Sequence, residues 1–508
     1  MDADHPGEAD DVAARDVRAD RQPNPAAGSE RPASRGSAAA VQHADRTHEE
    51  RQQVSRRSTF RKECIMKPRA FILTGYLPVV CRDSIYIDDL RSRDLKVLVI
   101  TPAISRSYAQ AHGDDPAHPA AAIDEVAFVD GSVASEGSYL PGVIEHAERW
   151  RKHYDVVGIY AVGETLVEPT GLLADYFGLP FPGLRASRAC RNKYLQRWYL
   201  PDLSPVSVLI PPGTRDAVEH GSVPFPAVVK PATRHSSEGV QMVHDQAELA
   251  AQLDGYPAEE TILVEQMIAG QEYSVESLTQ DGKTLFSSVT RKETTDVDSQ
   301  YFVEMAHTVP APIDDAWDAV QRANIEMLDR LGVENGITHA EWRLDDKGEA
   351  RLMEVAARTP GDGIMVLYRL ATGRAMEPEI LRIALGEPAD YPSARRYARQ
   401  VYVGHQPGTL VDVAVDWPGV EPRWVDDGNP WPDIPPLAAD APPALRAVLV
   451  YEPIGAELGP IRSSDDRAVT FFIDAPSIAE LDEIEERVRG SICVRVRPQS
   501  EQSAESSL

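Results

Sequence analysis

Three short segments hold side chains whose types and spacing suit phosphate and metal chemistry. The first is Val228-Val229-Lys230-Pro231, a lysine ending an apolar run, followed by Thr233, Arg234, His235, Ser236, Ser237, Glu238 and Gly239. Small residues let backbone N–H groups and hydroxyls close over phosphates, while the lysine adds a point charge. No GxxxxGKS or GxxxxGKT run is present, so this is not a Walker loop. Alone, the segment also fits an exposed lysine before an ordinary polar loop. The second is a pair of acids, Glu341 and Glu354, on two apolar runs separated by Asp345-Asp346-Lys347-Gly348, a hairpin signal. A two- or four-residue loop sets Glu341 opposite Leu352 and makes Glu354 its diagonal neighbour on the same face, roughly 7–8 Å away. Two carboxylates at that spacing suit Mg²⁺, which completes its octahedron with waters and phosphate oxygens. A three-residue bulged turn would set them on opposite faces, as two solvated glutamates. The third is Arg358, four residues past Glu354 and before Thr359-Pro360-Gly361-Asp362-Gly363. A guanidinium there can sit over a phosphoryl group or a carboxylate, or simply face solvent.

The flanking sequence predicts the elements that must position these groups. Lys96 to Pro102 reads as a buried strand, and Tyr154 to Ala161 as another before a helix beginning near Glu164. Helical spacing around Leu172 stops at Gly178-Leu179-Pro180. Strands are expected at Phe225–Lys230, Thr261–Glu265, Glu272–Thr279 and Thr284–Thr290, with helices near Gln246–Leu253 and Asp314–Leu331. From about residue 395, short strands, a Pro-rich stretch between Asn429 and Pro443, and a helix near Ile478–Val488 suggest a small α+β domain ending at 498.

At 508 residues the chain exceeds one compact core. A net charge of −28 disfavours a nucleic-acid partner, and no apolar run is long enough to span a membrane. Cys64, Cys81, Cys190 and Cys493 are scattered and expected to be reduced, buried and inert. Residues 1–65 are polar, lack apolar periodicity and are expected to be disordered, while the tail 499–508 is expected to be frayed; Met66 is a candidate start. With no apolar leader, a cytoplasmic location is expected.

Taken in order, several patterns resemble the ATP-grasp superfamily and, within it, bacterial L-amino acid ligases of the bacilysin-pathway type. They are Asn192-Lys193, Val229-Lys230-Pro231, Ser236-Ser237-Glu238-Gly239-Val240, Val264-Glu265-Gln266, Gly270-Gln271-Glu272-Tyr273, His307-Thr308-Val309-Pro310, Glu341, and Met353-Glu354-Val355-Ala356-Ala357-Arg358. The resemblance spans about 95 to 390. It implies an α/β and α+β architecture: a Rossmann-like domain over 66–190, an ATP-grasp domain over 191–394 with a lid at about 205–268, and the C-terminal domain over 395–498.

It also implies ATP and Mg²⁺ (or Mn²⁺) as cofactors. Lys193 and Lys230 would contact phosphates, with Ser236, Ser237 and Gly239 in the lid. Glu265 and Gln266 would form the adenine-facing hinge, and Glu272 would reach the ribose. Glu341 and Glu354 would hold the metal, and Arg358 would stabilise an acyl phosphate. Glu164 and His307 match positions lining the amino acid pocket, where a carboxylate suits an ammonium group and an imidazole can orient a carboxylate or take up a proton. The implied activity is ATP-dependent joining of a small carboxylate to an amine, as in dipeptide synthesis for antibiotic biosynthesis, with a homodimer expected by analogy with relatives. Other readings are carboxylation of the biotin-carboxylase kind and nucleotide binding without catalysis. Two departures stand out. Ala356 replaces an asparagine common in the superfamily, and the Asp362 segment differs from the bulky aromatic version of the bacilysin-pathway ligase.

Overall fold

The computed structural model describes residues 67–498, apart from 83, 134, 136, 216–222, 235–238, 298 and 427. The expectations for 1–65, Met66, Cys64, Ser236, Ser237 and 499–508 therefore lie outside the described residues.

The apolar runs near the N-terminus become β1 (Arg69–Thr74), β2 (Lys96–Pro102), β3 (Glu125–Val129) and β4 (Asp155–Ala161). They pair in parallel in the order β3-β2-β1-β4. Near-continuous burial along β1 and β2 is what a parallel sheet covered on both faces requires. The helix after β4 spans Val167–Phe177, so Glu164 lies in the preceding loop rather than at a helix start. Gly178 closes that helix at φ +68, the left-handed conformation a C-cap needs.

Residues 205–268, the expected lid, contain β5 (Ser207–Ile210), β6 (Ala227–Pro231), β7 (Gln241–Val243) and β8 (Ile262–Gln266). They form an antiparallel sheet ordered β5-β8-β6-β7 around Val229, Leu249 and Val264.

Next come β9 (Glu272–Gln280), β10 (Lys283–Thr294), β11 (Glu304–Val309), β12 (Gly336–Leu344), β13 (Ala350–Ala356) and β14 (Tyr397–Tyr402). The last six strands are β15 (Gly408–Val415), β16 (Pro422–Trp424), β17 (Ala444–Val450), β18 (Glu457–Leu458), β19 (Val469–Ala475) and β20 (Ile492–Arg497). A nine-stranded sheet runs β13-β12-β9-β10-β11-β14-β19-β17-β16, and β18-β15-β20 form a small third antiparallel layer. Because β11 pairs with β14, the large sheet continues across position 395, where composition suggested a change of domain. Helix Asp315–Leu331, capped by Asp314, packs Met327 and Leu331 with Trp342 and Leu352 of β12 and β13.

Candidate active site

A cavity of about 890 Å³ is lined from the β5-β8-β6-β7 sheet by Val228, Lys230, Glu265 and Gln266, and from the large sheet by Glu272, His307, Glu341 and Glu354. Glu164, Lys193 and Arg358 line it as well, so ten of the sequence-selected residues share one space. Gly239 is not among the lining residues, though its neighbour Val240 is. A Cβ at Gly239 would lie 3.2 Å from both Pro231 and Tyr256, and φ is +75, so a bare backbone is required there.

Asn192 caps the helix Lys193–Tyr199 through its side-chain oxygen, fixing Lys193 at the first turn. Lys193 Nζ donates to the carbonyl of Arg234 at 2.6 Å and lies 3.0 Å from Glu354 Oε1. Lys230, at the end of β6, lies 2.5 Å from Glu265 Oε2 and donates to the carbonyl of Met353 at 3.3 Å. Arg197 reaches the same two acceptors, Glu265 Oε1 at 2.5 Å and Met353 O at 2.7 Å. Burial alone would raise the Glu265 pKa, but Arg197 and Lys230 hold it at about 2.

Those contacts bear on the Glu341–Glu354 pair. The turn at 345–349 has odd length, which by itself would throw Glu341 and Glu354 onto opposite faces. A bulge at Met353 restores the alignment: Trp342 pairs with Leu352, and Glu341 pairs directly with Glu354. The expected diagonal relation through Leu352 is thus corrected to a direct one, and the bulged carbonyl is the acceptor held by Arg197 and Lys230. On the edge strand β13, Gln196 completes the backbone pairing of Val355 with one donated and one accepted bond.

Glu272, Glu304 and Glu341 form an acidic group whose ligand atoms lie within 4.8 Å of one another. Lys292, 1% exposed, enters it at 2.5 Å from Glu341 and 3.4 Å from Glu304. Burial lowers the Lys292 pKa, but the three glutamates outweigh it and raise it well above the ordinary value. Glu272 also accepts from Arg343 at 2.8 Å. Behind Glu341, His339 bridges to Glu276, a buried carboxylate that also accepts from Ser274, Thr290 and Tyr368.

Glu164 accepts from Arg191 at 2.6 Å and from Arg358 Nε at 2.7 Å. Burial opposes its ionisation, yet the two guanidinium groups bring its pKa down to about 2. His307 Nε2 lies 2.7 Å from Asp362 Oδ2, and Arg467 grips both oxygens of Asp362 at 2.8 and 3.0 Å.

Sequence reasoning missed Arg191, Arg197, Lys292 and Arg467. Lys292 left one trace, since Ser288, Thr290 and Lys292 alternate on one face of a strand. Arg467 left none, lying 105 residues from Asp362. The cysteine expectation needs one correction: Cys81 and Cys190 are buried, but Cys493 is exposed because it faces outward on β20.

The family of ATP-grasp domains matches residues 223–366, which includes β6 to β13 and the hairpin that bears Glu341 and Glu354. Among curated relatives, a D-alanine–D-alanine ligase of Syntrophotalea carbinolica is 31% identical over 132 residues, 25% of this chain and 43% of the ligase. Dapdiamide A synthase of Enterobacter agglomerans is 24% identical over 283 residues, 52% of this chain and 65% of the synthase. The chain thus spans less than two thirds of each. Among solved structures, an L-amino acid ligase from Bacillus licheniformis superimposes with a TM-score of 0.63 at 18% identity, covering 85% of this chain and all of that one. The chain carries an ATP-grasp domain set in the ATP-grasp fold. Among the described residues, no helix is long and apolar enough to cross a membrane.

Proposed function

We propose that the protein is an ATP-dependent carboxylate–amine ligase that works through an acyl phosphate and releases ADP and phosphate. The observation that carries this reading is the convergence of Lys193, Lys230, the Glu341–Glu354 pair and Arg358 on one cavity. The relatives named above support it: a ligase that joins two D-alanines and a synthase that makes dapdiamide A.

A carboxylate is a poor electrophile, and transfer of a phosphoryl group to its oxygen turns it into an acyl phosphate with a good leaving group. Most of the catalysis is then positioning and charge neutralisation. Lys193 and Lys230 bind the triphosphate of ATP, exchanging their present carboxylate and carbonyl partners for phosphate oxygens. Two glutamates paired across adjacent strands and lining the cavity fit a hard cation that prefers oxygen ligands, so Glu341 and Glu354 are the residues that would hold Mg²⁺. Bound there, Mg²⁺ supplies charge neutralisation at the phosphate oxygens.

Arg358 faces the transferred group and the oxyanion of the tetrahedral adduct. Glu164 acts through Arg358: with a guanidinium on each carboxylate oxygen it is already neutralised, so it orients the arginine instead of capturing a free ammonium group. His307 meets the amine. The substrates are an amino acid or other small carboxylic acid, and an amine.

Paired acids and amines, screened for ATP-dependent phosphate release and product mass, test the proposal. An amide product with ADP and phosphate, formed without bicarbonate, supports it; bicarbonate dependence or an ATP-inert folded protein overturns it.

A further inference from the structure

His307 is 1% exposed, yet among the described residues only one of its ring nitrogens has a partner. Nε2 meets Asp362, while Nδ1 is buried without a hydrogen bond among the described residues. An ionised carboxylate only accepts, so the proton of that bond sits on Nε2. A buried nitrogen left unpaired costs free energy, and a substrate group that meets it recovers that cost.

Asp362 is itself unusually constrained. Its backbone lies at φ +51, a conformation tolerated by Asp, Asn and Gly but by few others. Arg467 holds both carboxylate oxygens, donates to the carbonyls of Glu304 and Ser464, and stacks 3.8 Å from the Tyr402 ring centre. Every contact of Arg467 thus fixes where the Asp362 carboxylate can be.

We propose that Asp362, clamped by Arg467, is a positioning residue that locks His307 with its proton on Nε2 and keeps Nδ1 as the acceptor for the attacking amine. This rests on the ligase reading for its chemistry. In the step, the amine nitrogen bonds to the acyl carbon. The carbon–oxygen bond to phosphate breaks, with phosphate taking the electron pair, and one nitrogen-bound proton passes to Nδ1.

Two measurements test it. Nitrogen-15 spectra of the imidazoles, with the His307 signals assigned by loss in His307→Gln, report the tautomer without any substrate. The expected wild-type signature is a protonated Nε2 and a bare Nδ1. It should persist in Asp362→Asn, which keeps a carbonyl acceptor and tolerates the positive φ, and be lost in Asp362→Gly, which tolerates φ but offers no acceptor. A protonated Nδ1 with a bare Nε2 in the wild type, or an unchanged signature in Asp362→Gly, overturns the proposal.

The second measurement compares amines. Hydroxylamine is largely unprotonated at neutral pH and needs little base help, whereas an amino acid amine does. With an acid found active in the screen, Asp362→Gly should lower the ratio of amide to hydroxamate product about 10- to 100-fold, less than a full general-base contribution because Asp362 acts only through His307. The loss should appear in kcat more than in KM, and Asp362→Asn should recover most of it. Parallel loss of both products, or no change in their ratio, refutes the positioning role. A wild-type protein with the expected tautomer but no ATP-dependent product overturns the ligase reading and leaves the tautomer lock standing.

Discussion

Replacing Glu265 by glutamine should destabilise the protein by about 3–5 kcal/mol, because it strands two buried cations. Glu265 is 2% exposed, and its carboxylate takes Arg197 at 2.5 and 3.1 Å and Lys230 at 2.5 Å. Glutamine keeps the shape but turns an amide N–H₂ toward donors. The titration gives a separate measure of the same interaction. A pKa held at about 2, against an ordinary 4.5, corresponds to on the order of 3 kcal/mol. Its sign is fixed by linkage. The folded value is depressed, so the stabilisation is fully present above pH 4.5 and is lost as pH falls toward 2. Urea unfolding followed by tryptophan fluorescence, run at pH 7 and at several values between 4.5 and 2.5, measures this. The wild type should be the more stable at pH 7, and the gap should shrink as the pH falls. Arg197→Met in the Glu265→Gln background should recover part of the loss by removing one stranded charge. Equal urea midpoints at pH 7, or a gap that does not change on acidification, would refute the reasoning.

Glu354→Gln should abolish ATP-dependent product formation without changing the far-ultraviolet circular dichroism, and normal turnover would remove Glu354 from the metal pair. Glu164→Gln should reduce kcat at least about 10-fold with little change in the KM for ATP, since Arg358 loses its anchor while the phosphate lysines are untouched. A mainly KM effect would instead place Glu164 against the nucleotide. In a Cys64→Ser background, a thiol reagent should label Cys493 in the folded state but spare Cys190 and Cys81, whose thiols are buried and whose pKa burial pushes up, to about 12 for Cys81. Mass mapping of the labelled peptides decides it.

The sequence by itself determined the elements and the chemical inventory. Apolar period and turn residues placed β2, β8, β9 and the helix Asp315–Leu331 to within a few residues, because those signals are local. Lys230, Glu341, Glu354 and Arg358 could be picked out locally because each lies on or just past a strand, whereas Lys193, at a helix start, was selected only through the family resemblance. Tertiary structure decided how they meet. The carbonyl at the Met353 bulge is held by Arg197 and Lys230 from other elements, and without the bulge the odd turn would have separated Glu341 from Glu354. The partners of Glu164, Glu265 and Asp362 arrive from 27, 68 and 105 residues away. Periodicity says which face a residue occupies, but which charges share a buried space is settled only when the chain packs and each buried ion must find a counter-ion.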